Sequence, residues 1–229
     1  MKKAIQRIIK KDIKSVESLT TIQVEFDETD IMKAKAIIMG PENSCYENCF
    51  LLFTIQFPKN YPFSPPHVEF VPFNKIRIHP NIYASGKVCL SLLGTWSGPK
   101  WTSIMDLSSI LLSIQSLLDK DPIRNEPGYA CSKTKLNTNY NTVIEYNSIQ
   151  SLLIDTYNHL PSDFHCFREF IKTNILKTRV PMLRKIKQLK KKNPLKKIIK
   201  IPIYRIELLT DFELLEQNYL SFLTYLENV

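Results

Sequence analysis

The sequence predicts an α+β domain followed by an α-helical extension. Three observations carry that expectation: a helical apolar pattern at the N-terminus, four strand-like runs between residues 22 and 73, and a change of composition after Gly128. With 229 residues, 44% of them hydrophobic, the chain can bury a full core as one domain with an extension.

Taken in order, Ala4, Ile5, Ile8, Ile9, Ile13 and Val16 recur at helical spacing, so residues 2–17 read as an amphipathic helix. Ile22, Val24 and Phe26 then alternate with polar neighbours, as do Met32, Ala34, Ala36 and Ile38, and the runs 50–57 and 67–73 follow. Gly40, Pro41, Glu42 and Asn43 supply a turn between the second and third runs, and links this short imply an antiparallel meander. Residues 58–66, PKNYPFSPP, hold four prolines and predict a rigid extended loop, because proline denies a sheet its N–H and clashes inside a helix. From 77 to 100 neither period persists, and Gly86, Gly94 and Gly98 punctuate the chain. Long ordered loops of this kind tend to carry function. Ile104, Leu107, Leu111, Ile114 and Leu118 mark a helix, with Ser103 and Asp106 as its expected capping box. The domain is expected over 1–130 and the extension over 131–229, where helical spacing returns at 140–160, 163–176 and 206–227, broken at Pro161, Pro181, Pro194 and Pro202.

Composition excludes several classes. No apolar run approaches the roughly 20 residues of a membrane span, and MKKAIQRIIKK lacks the unbroken apolar stretch of a secretory signal, so a soluble chain with no membrane partner is expected. Five cysteines at irregular spacing do not make the dense framework of a disulfide-stapled domain, which points to a reducing compartment, cytoplasm or nucleus. Cys45, Cys49 and His67 form one weak metal grouping, but a single CxxxC without a second Cys/His pair falls short of zinc spacing, and no metal is expected. Charge is concentrated: nine of the 31 basic residues lie between Arg184 and Lys200 with no acid among them, and the remaining 22 match the 22 acidic residues. The formal excess of +9 thus belongs to the segment 184–200, which is either a solvated helix face or a surface that steers an acidic partner.

The chemistry-bearing residues come in a set order: Tyr61, Pro62 and Phe63 with Ser64, Pro65 and Pro66; His79, Pro80 and Asn81; Gly86, Lys87, Val88, Cys89 and Leu90; Trp101; and then LLSIQSLL. This series resembles the catalytic domain of ubiquitin-conjugating enzymes, in which a proline-rich loop, an HPN signature, a nucleophilic cysteine, a tryptophan and a long second helix follow one another. No single piece is specific. The ordered set is, and it covers roughly residues 2–130. VCLSLLGTWSGPKW, with NEPGY at 125–129, is similar to a narrower branch that carries helical sequence after the catalytic domain, one member of which loads a second ubiquitin-like modifier besides ubiquitin.

The resemblance implies a transferase that takes ubiquitin or a ubiquitin-like protein as a thioester on Cys89 from an activating enzyme and passes it to a lysine of a protein substrate. No cofactor is bound in such a scheme, and ATP is used by the upstream activating enzyme only. Cys89 is the nucleophile, since transthiolation needs a thiolate to attack a carbonyl already activated as a thioester. Asn81 is assigned to the oxyanion formed when an amine attacks that carbonyl, with pinning of the loop around Cys89 as the alternative. His79 and Pro80 belong to loop packing near the site and not to base chemistry. An attacking lysine, with an ordinary pKa of about 10.4, must be oriented or relieved of a proton. Glu126 stands where many relatives carry an acid before a proline and is the candidate for that work, with a solvated loop carboxylate as the alternative. Ser91 stands where many relatives carry Asp, which leaves a second acidic helper in doubt. Phe63 matches the position that docks a ubiquitin ligase, and Ser103 and Ile104 lie in its partner loop, where ligase-responsive relatives often have proline and alanine. Trp96 and Trp101 are expected to pack within the core or loops. Two other readings stay open here: a non-catalytic ubiquitin-binding module on the same fold, and a nucleic-acid-binding protein acting through 184–200, although that run lacks interleaved aromatics.

Overall fold

The structure is a computed structural model that describes residues 1–130 and 135–228. The boundary expected between 130 and 131 therefore borders residues that lie outside the described ones, Cys131 among them. The N-terminal helix runs as α1 (Lys2–Arg7) and α2 (Ile13–Glu17), joined by a wider π-type turn at Ile8–Asp12. Its buried residues Ala4, Ile8, Asp12 and Val16 are spaced by fours. That spacing drifts around a helix of 3.6 residues per turn, and the wider turn takes up the drift and keeps the four in line.

Strands β1 (Ile22–Phe26), β2 (Lys33–Met39), β3 (Phe50–Gln56) and β4 (His67–Phe70) pair antiparallel in sequence order, the meander that the short links predict. With Ile38 opposite Leu51 and Ala36 opposite Phe53, these residues share the face on which α3 (Leu107–Leu117) packs through Leu107, Ile110, Leu111 and Ile114. The opposite face is polar at one end, with Lys35, Thr54 and Glu69, and apolar at the other, with Ile37, Leu52 and Phe50. The extension covers the apolar end: the Phe50 and Phe170 rings meet edge to face at 6.2 Å. This explains the unbroken run Phe50–Leu51–Leu52–Phe53, all buried, because β3 is enclosed on both faces there.

Three expectations change. The capping box of α3 is Asp106 with Ser109, not Ser103 with Asp106, so the helix begins at Leu107 and Ile104 lies outside it. The extension has the expected helices, α4 (Lys135–Ile149), α5 (Thr156–Asn158), α6 (Arg168–Lys192) and α7 (Phe212–Asn228), but it also holds a hairpin of β5 (Lys197–Ile201) and β6 (Ile206–Thr210). Pro194 and Pro202 bound a short Ile-rich run whose Ile199 and Ile201 point inward, and the lysine spacing masks that alternation. Pro181 does not break its helix, because the buried stripe Ile171, Ile175, Met182, Ile186 and Leu189 continues across it. That burial outweighs the roughly 3 kcal/mol that an interior proline costs.

The basic segment is divided between α6 and the hairpin, and part of its charge is met within the chain. Lys190 lies 2.6 Å from Glu213 and 2.8 Å from Glu216 of α7. Lys196 faces Asp211 at 3.6 Å, Lys200 faces Glu207 at 3.0 Å, and Lys185 reaches Glu47 at 3.7 Å and donates to the Ser44 carbonyl. Among the described residues no helix is long and apolar enough to cross a membrane.

Candidate active site

The irregular chain between β4 and α3 cannot satisfy its backbone through a regular ladder, so side chains and isolated bridges do it. The chain folds back at Tyr83–Gly86, where the Gly86 N–H donates to the Tyr83 carbonyl at 3.0 Å and the Tyr83 N–H to the Lys87 carbonyl at 2.9 Å. Only glycine suits position 86: its φ is +91°, and a Cβ there would meet the Phe70 carbonyl oxygen at 2.9 Å. The fold-back brings Cys89 beside Asn81. The Cys89 N–H donates to the Asn81 carbonyl at 2.8 Å, and the Asn81 side-chain amide donates to the Cys89 carbonyl at 3.0 Å. Beyond the cysteine, the Thr95 hydroxyl accepts from the Leu90 N–H at 2.9 Å and donates to the Val88 carbonyl at 2.8 Å, which fixes the chain on both sides of Cys89.

The HPN turn is held residue by residue. The Tyr140 hydroxyl donates to the Arg77 carbonyl at 2.8 Å, the Tyr46 hydroxyl to the Ile78 carbonyl at 2.6 Å, and the Arg77 guanidinium to the Pro80 carbonyl. His79 is fully buried, and its Nδ1 accepts the Asn81 N–H at 2.9 Å, which places its proton on Nε2. Burial, reinforced by the nearby Arg77 charge, lowers its pKa from 6.5 to about 3, so the ring is neutral and structural. Glu126 follows the short helical turn Pro122–Asn125. Its Oε2 accepts a hydrogen bond from the Tyr204 hydroxyl at 2.6 Å and lies 3.8 Å from Arg77 Nη2. The Arg77 guanidinium stacks 3.6 Å from the centre of the Tyr83 ring and 4.5 Å from that of Tyr204.

Among the described residues the structure thus joins Cys89 and Asn81 directly and connects Glu126 to them through Arg77 and Pro80. In this arrangement the Asn81 amide is engaged in the loop, the alternative weighed for it from sequence. Cys89 is 3% exposed. Of the other described cysteines, Cys45 and Cys49 are buried with their thiols pushed up by burial, Cys49 to about 12, and Cys166 is exposed. His67 is exposed and pairs with Glu69, and no group of three metal-ligating side chains occurs among the described residues.

Phe63, Ser103 and Ile104 form a separate surface. Phe63 is 74% and Ile104 78% exposed, and the loops that carry them are tied by the Trp101 indole N–H donating to the Pro62 carbonyl at 2.7 Å. Arg7 and Lys11 add bonds to the Met105 and Ile104 carbonyls. Trp101 packs as expected; Trp96, expected in the core or a loop, is exposed and so lies outside the core. Sequence reasoning missed Arg77, Thr95, Tyr140 and Tyr204. Thr95 lies within the segment 88–101 but was given no role, the other three sit in no motif, and Tyr204 lies 78 positions from Glu126, so only the fold brings that pair together.

The family model described as ubiquitin-conjugating enzyme matches residues 7–148. The human protein named ubiquitin-conjugating enzyme E2 Z is 41% identical over 152 residues, which cover 64% of this chain and 43% of that protein, so the chain spans less than half the length of this relative. A Caenorhabditis elegans protein named probable ubiquitin-conjugating enzyme protein 17 is 35% identical over 175 residues, 72% of this chain and 24% of that one. A solved E2 domain of a ubiquitin conjugating enzyme from Toxoplasma gondii is 31% identical, covering 54% of this chain and 79% of that one with a TM-score of 0.44.

Proposed function

This chain belongs to the ubiquitin-conjugating enzyme family, and on that premise we propose that it carries ubiquitin or a ubiquitin-like protein as a thioester on Cys89 and transfers it to a substrate lysine. The observation that carries the assignment of the site is the paired hydrogen bonding of Cys89 with Asn81 across the Gly86 fold-back. In loading, the Cys89 thiolate attacks the thioester carbonyl held on an activating enzyme. A new C–S bond forms, the old one breaks, and the departing thiolate takes up the proton that the Cys89 thiol released on forming its thiolate. In discharge, the lysine nitrogen attacks the carbonyl on Cys89, negative charge gathers on its oxygen, the C–Sγ bond breaks, and the amine proton passes to an acceptor.

Asn81 suits the oxyanion step because its amide has two N–H groups. One is spent on the Cys89 carbonyl, and the other is left to donate to the oxyanion. Glu126 is the group assigned to orient the lysine and receive its proton. Phe63, Ser103 and Ile104 are assigned to a ligase, as exposed residues on loops held rigid by Trp101. ATP serves only the activating enzyme, and the cytoplasm or nucleus is the working compartment, where the Cys89 thiol stays reduced.

The test is incubation with an activating enzyme, ATP and each candidate modifier, resolved on a non-reducing gel. Wild type is expected to give a thiol-sensitive adduct, Cys89→Ser a thiol-resistant ester, and Cys89→Ala none. A thiol-sensitive adduct that persists in Cys89→Ala would move the acceptor to Cys45, Cys49, Cys131 or Cys166 and end the assignment.

A further inference from the structure

We propose that Tyr204, at the tip of the extension's hairpin, is a positioning residue for discharge: it holds Glu126 and Arg77 in place beside the HPN turn. The inference rests on the role given to Glu126 above and adds to it a part of the chain that lies outside the catalytic motifs. The hairpin turn Pro202–Tyr204 closes with Arg205 in a left-handed conformation, φ +53°, and so delivers Tyr204 away from its own strands. The delivered hydroxyl donates to Glu126 Oε2 at 2.6 Å, and burial together with that bond raises the Tyr204 pKa, which keeps the hydroxyl a donor. The ring is fixed on two sides, by Tyr140 of α4 at 5.4 Å between centroids and by the Arg77 guanidinium at 4.5 Å.

One connected set therefore runs from the extension to the cysteine. Tyr204 bonds Glu126, and Arg77 faces Glu126 at 3.8 Å and donates to Pro80. Pro80 precedes Asn81, which is bonded twice to Cys89. A carboxylate at the end of a flexible side chain gains little as a lysine-orienting group unless its rotamer is held, and here both holding groups, Tyr204 and Arg77, are named. Arg77 is itself clamped between the Tyr83 ring of the catalytic loop and the Tyr204 ring of the extension, so Tyr204 holds Glu126 directly through its hydroxyl and holds Arg77 through its ring.

Single-turnover discharge of the preloaded Cys89 thioester tests this with two nucleophiles. Free lysine must be oriented and deprotonated before it can attack, whereas hydroxylamine is uncharged at neutral pH, attacks as it stands and gives up its proton to water. Tyr204→Phe keeps the ring against Tyr140 and Arg77 and removes only the donor. It is expected to slow discharge to lysine by roughly 3- to 10-fold, the worth of one hydrogen bond to a charged group only partly felt in the transition state. Discharge to hydroxylamine should stay within twofold of wild type. In a Glu126→Ala background the same change is expected to have no further effect, because the group it positions is gone. Equal slowing with both nucleophiles, or full additivity with Glu126→Ala, overturns the proposal in favour of a general structural role. Wild-type discharge in Tyr204→Phe with slowed discharge in Glu126→Ala overturns it while leaving Glu126 in place. Wild-type discharge in Glu126→Ala removes the role of Glu126 and this inference with it.

Discussion

An imidazole in water titrates near pH 6.5, but His79 is enclosed beside the Arg77 charge and its pKa falls to about 3. Unfolding releases a ring that takes up a proton below about pH 6.5, so between the two values the unfolded chain binds more protons than the folded one. The stability that the neutral ring supports is complete above pH 6.5 and is lost as pH falls toward 3, at about 1.4 kcal/mol per pH unit. Asparagine at 79 keeps an acceptor near the Asn81 N–H and has no such titration. Urea unfolding at pH 7, 6 and 5 is therefore expected to show wild type losing stability faster than His79→Asn below pH 6.5; parallel loss in the two proteins would mean that His79 is not held neutral. At this scale the sequence was most legible where a residue's type and its motif agree. Cys89, Asn81 and Gly86 are brought together by a local fold-back of a few residues. Arg77 and Tyr204 were hidden, because an arginine and a tyrosine outside any motif have no marked role until a distant element meets them.

Among the elements, α1, α2, the proline-rich loop and α3 meet at one carboxylate that no motif flags. Asp12 sits on the π-type turn, fully buried, and its Oδ1 accepts from the Tyr61 hydroxyl at 2.6 Å and from the Leu107 N–H at 2.8 Å, with Arg7 at 3.9 Å from the other oxygen. Burial pushes its carboxyl up although these donors pull the other way, which marks a site where satisfying neighbours matters more than carrying charge. Asp12→Ala leaves a buried hydroxyl and a helix-start N–H without acceptors, at about 1–3 kcal/mol each. Asp12→Asn keeps an oxygen in place and is expected to cost clearly less. Chemical denaturation compares the two, and equal losses would show that the acceptor geometry is not what counts. The meander and the main helices were readable because apolar period and turn chemistry agree along each of them. The β5–β6 hairpin was not, since its inward Ile199 and Ile201 are interleaved with lysines of the basic run that begins on α6, and its Ile206 lies between Arg205 and Glu207. The continuity of α6 through Pro181 was likewise hidden, because it depends on a stripe buried against other elements.

Across the whole molecule the extension is part of the same core as the N-terminal domain: it closes the apolar end of the sheet at Phe50, ties Lys185 to the Ser44 carbonyl and brings Tyr204 to Glu126. That packing also changes the meaning of the charge excess. Sequence places all of the +9 in one segment, which suggests a uniform field, but Lys185, Lys190, Lys196 and Lys200 each face an acid of the chain itself. Among the described residues Arg184, Lys187, Lys191 and Lys192 on α6 and Lys197 on β5 have no such ion pair, so most of the field that reaches solvent comes from one stretch of helix. If that field steers an acidic surface of an activating enzyme, it acts on association and not on transfer, and it is screened beyond about 8 Å at physiological salt. Replacing Arg184, Lys187, Lys191 and Lys192 with glutamine is expected to lower the second-order rate of Cys89 loading by roughly 3- to 10-fold at low salt and to leave it unchanged at high salt. Replacing Lys190, Lys196 and Lys200 instead removes nearly as much formal charge but from sites already neutralised, so loading should change little while the packing of α7 and the hairpin weakens. Equal effects of the two sets on loading would show that total charge matters and its placement does not. No effect of the first set at any salt would leave α6 a solvated face.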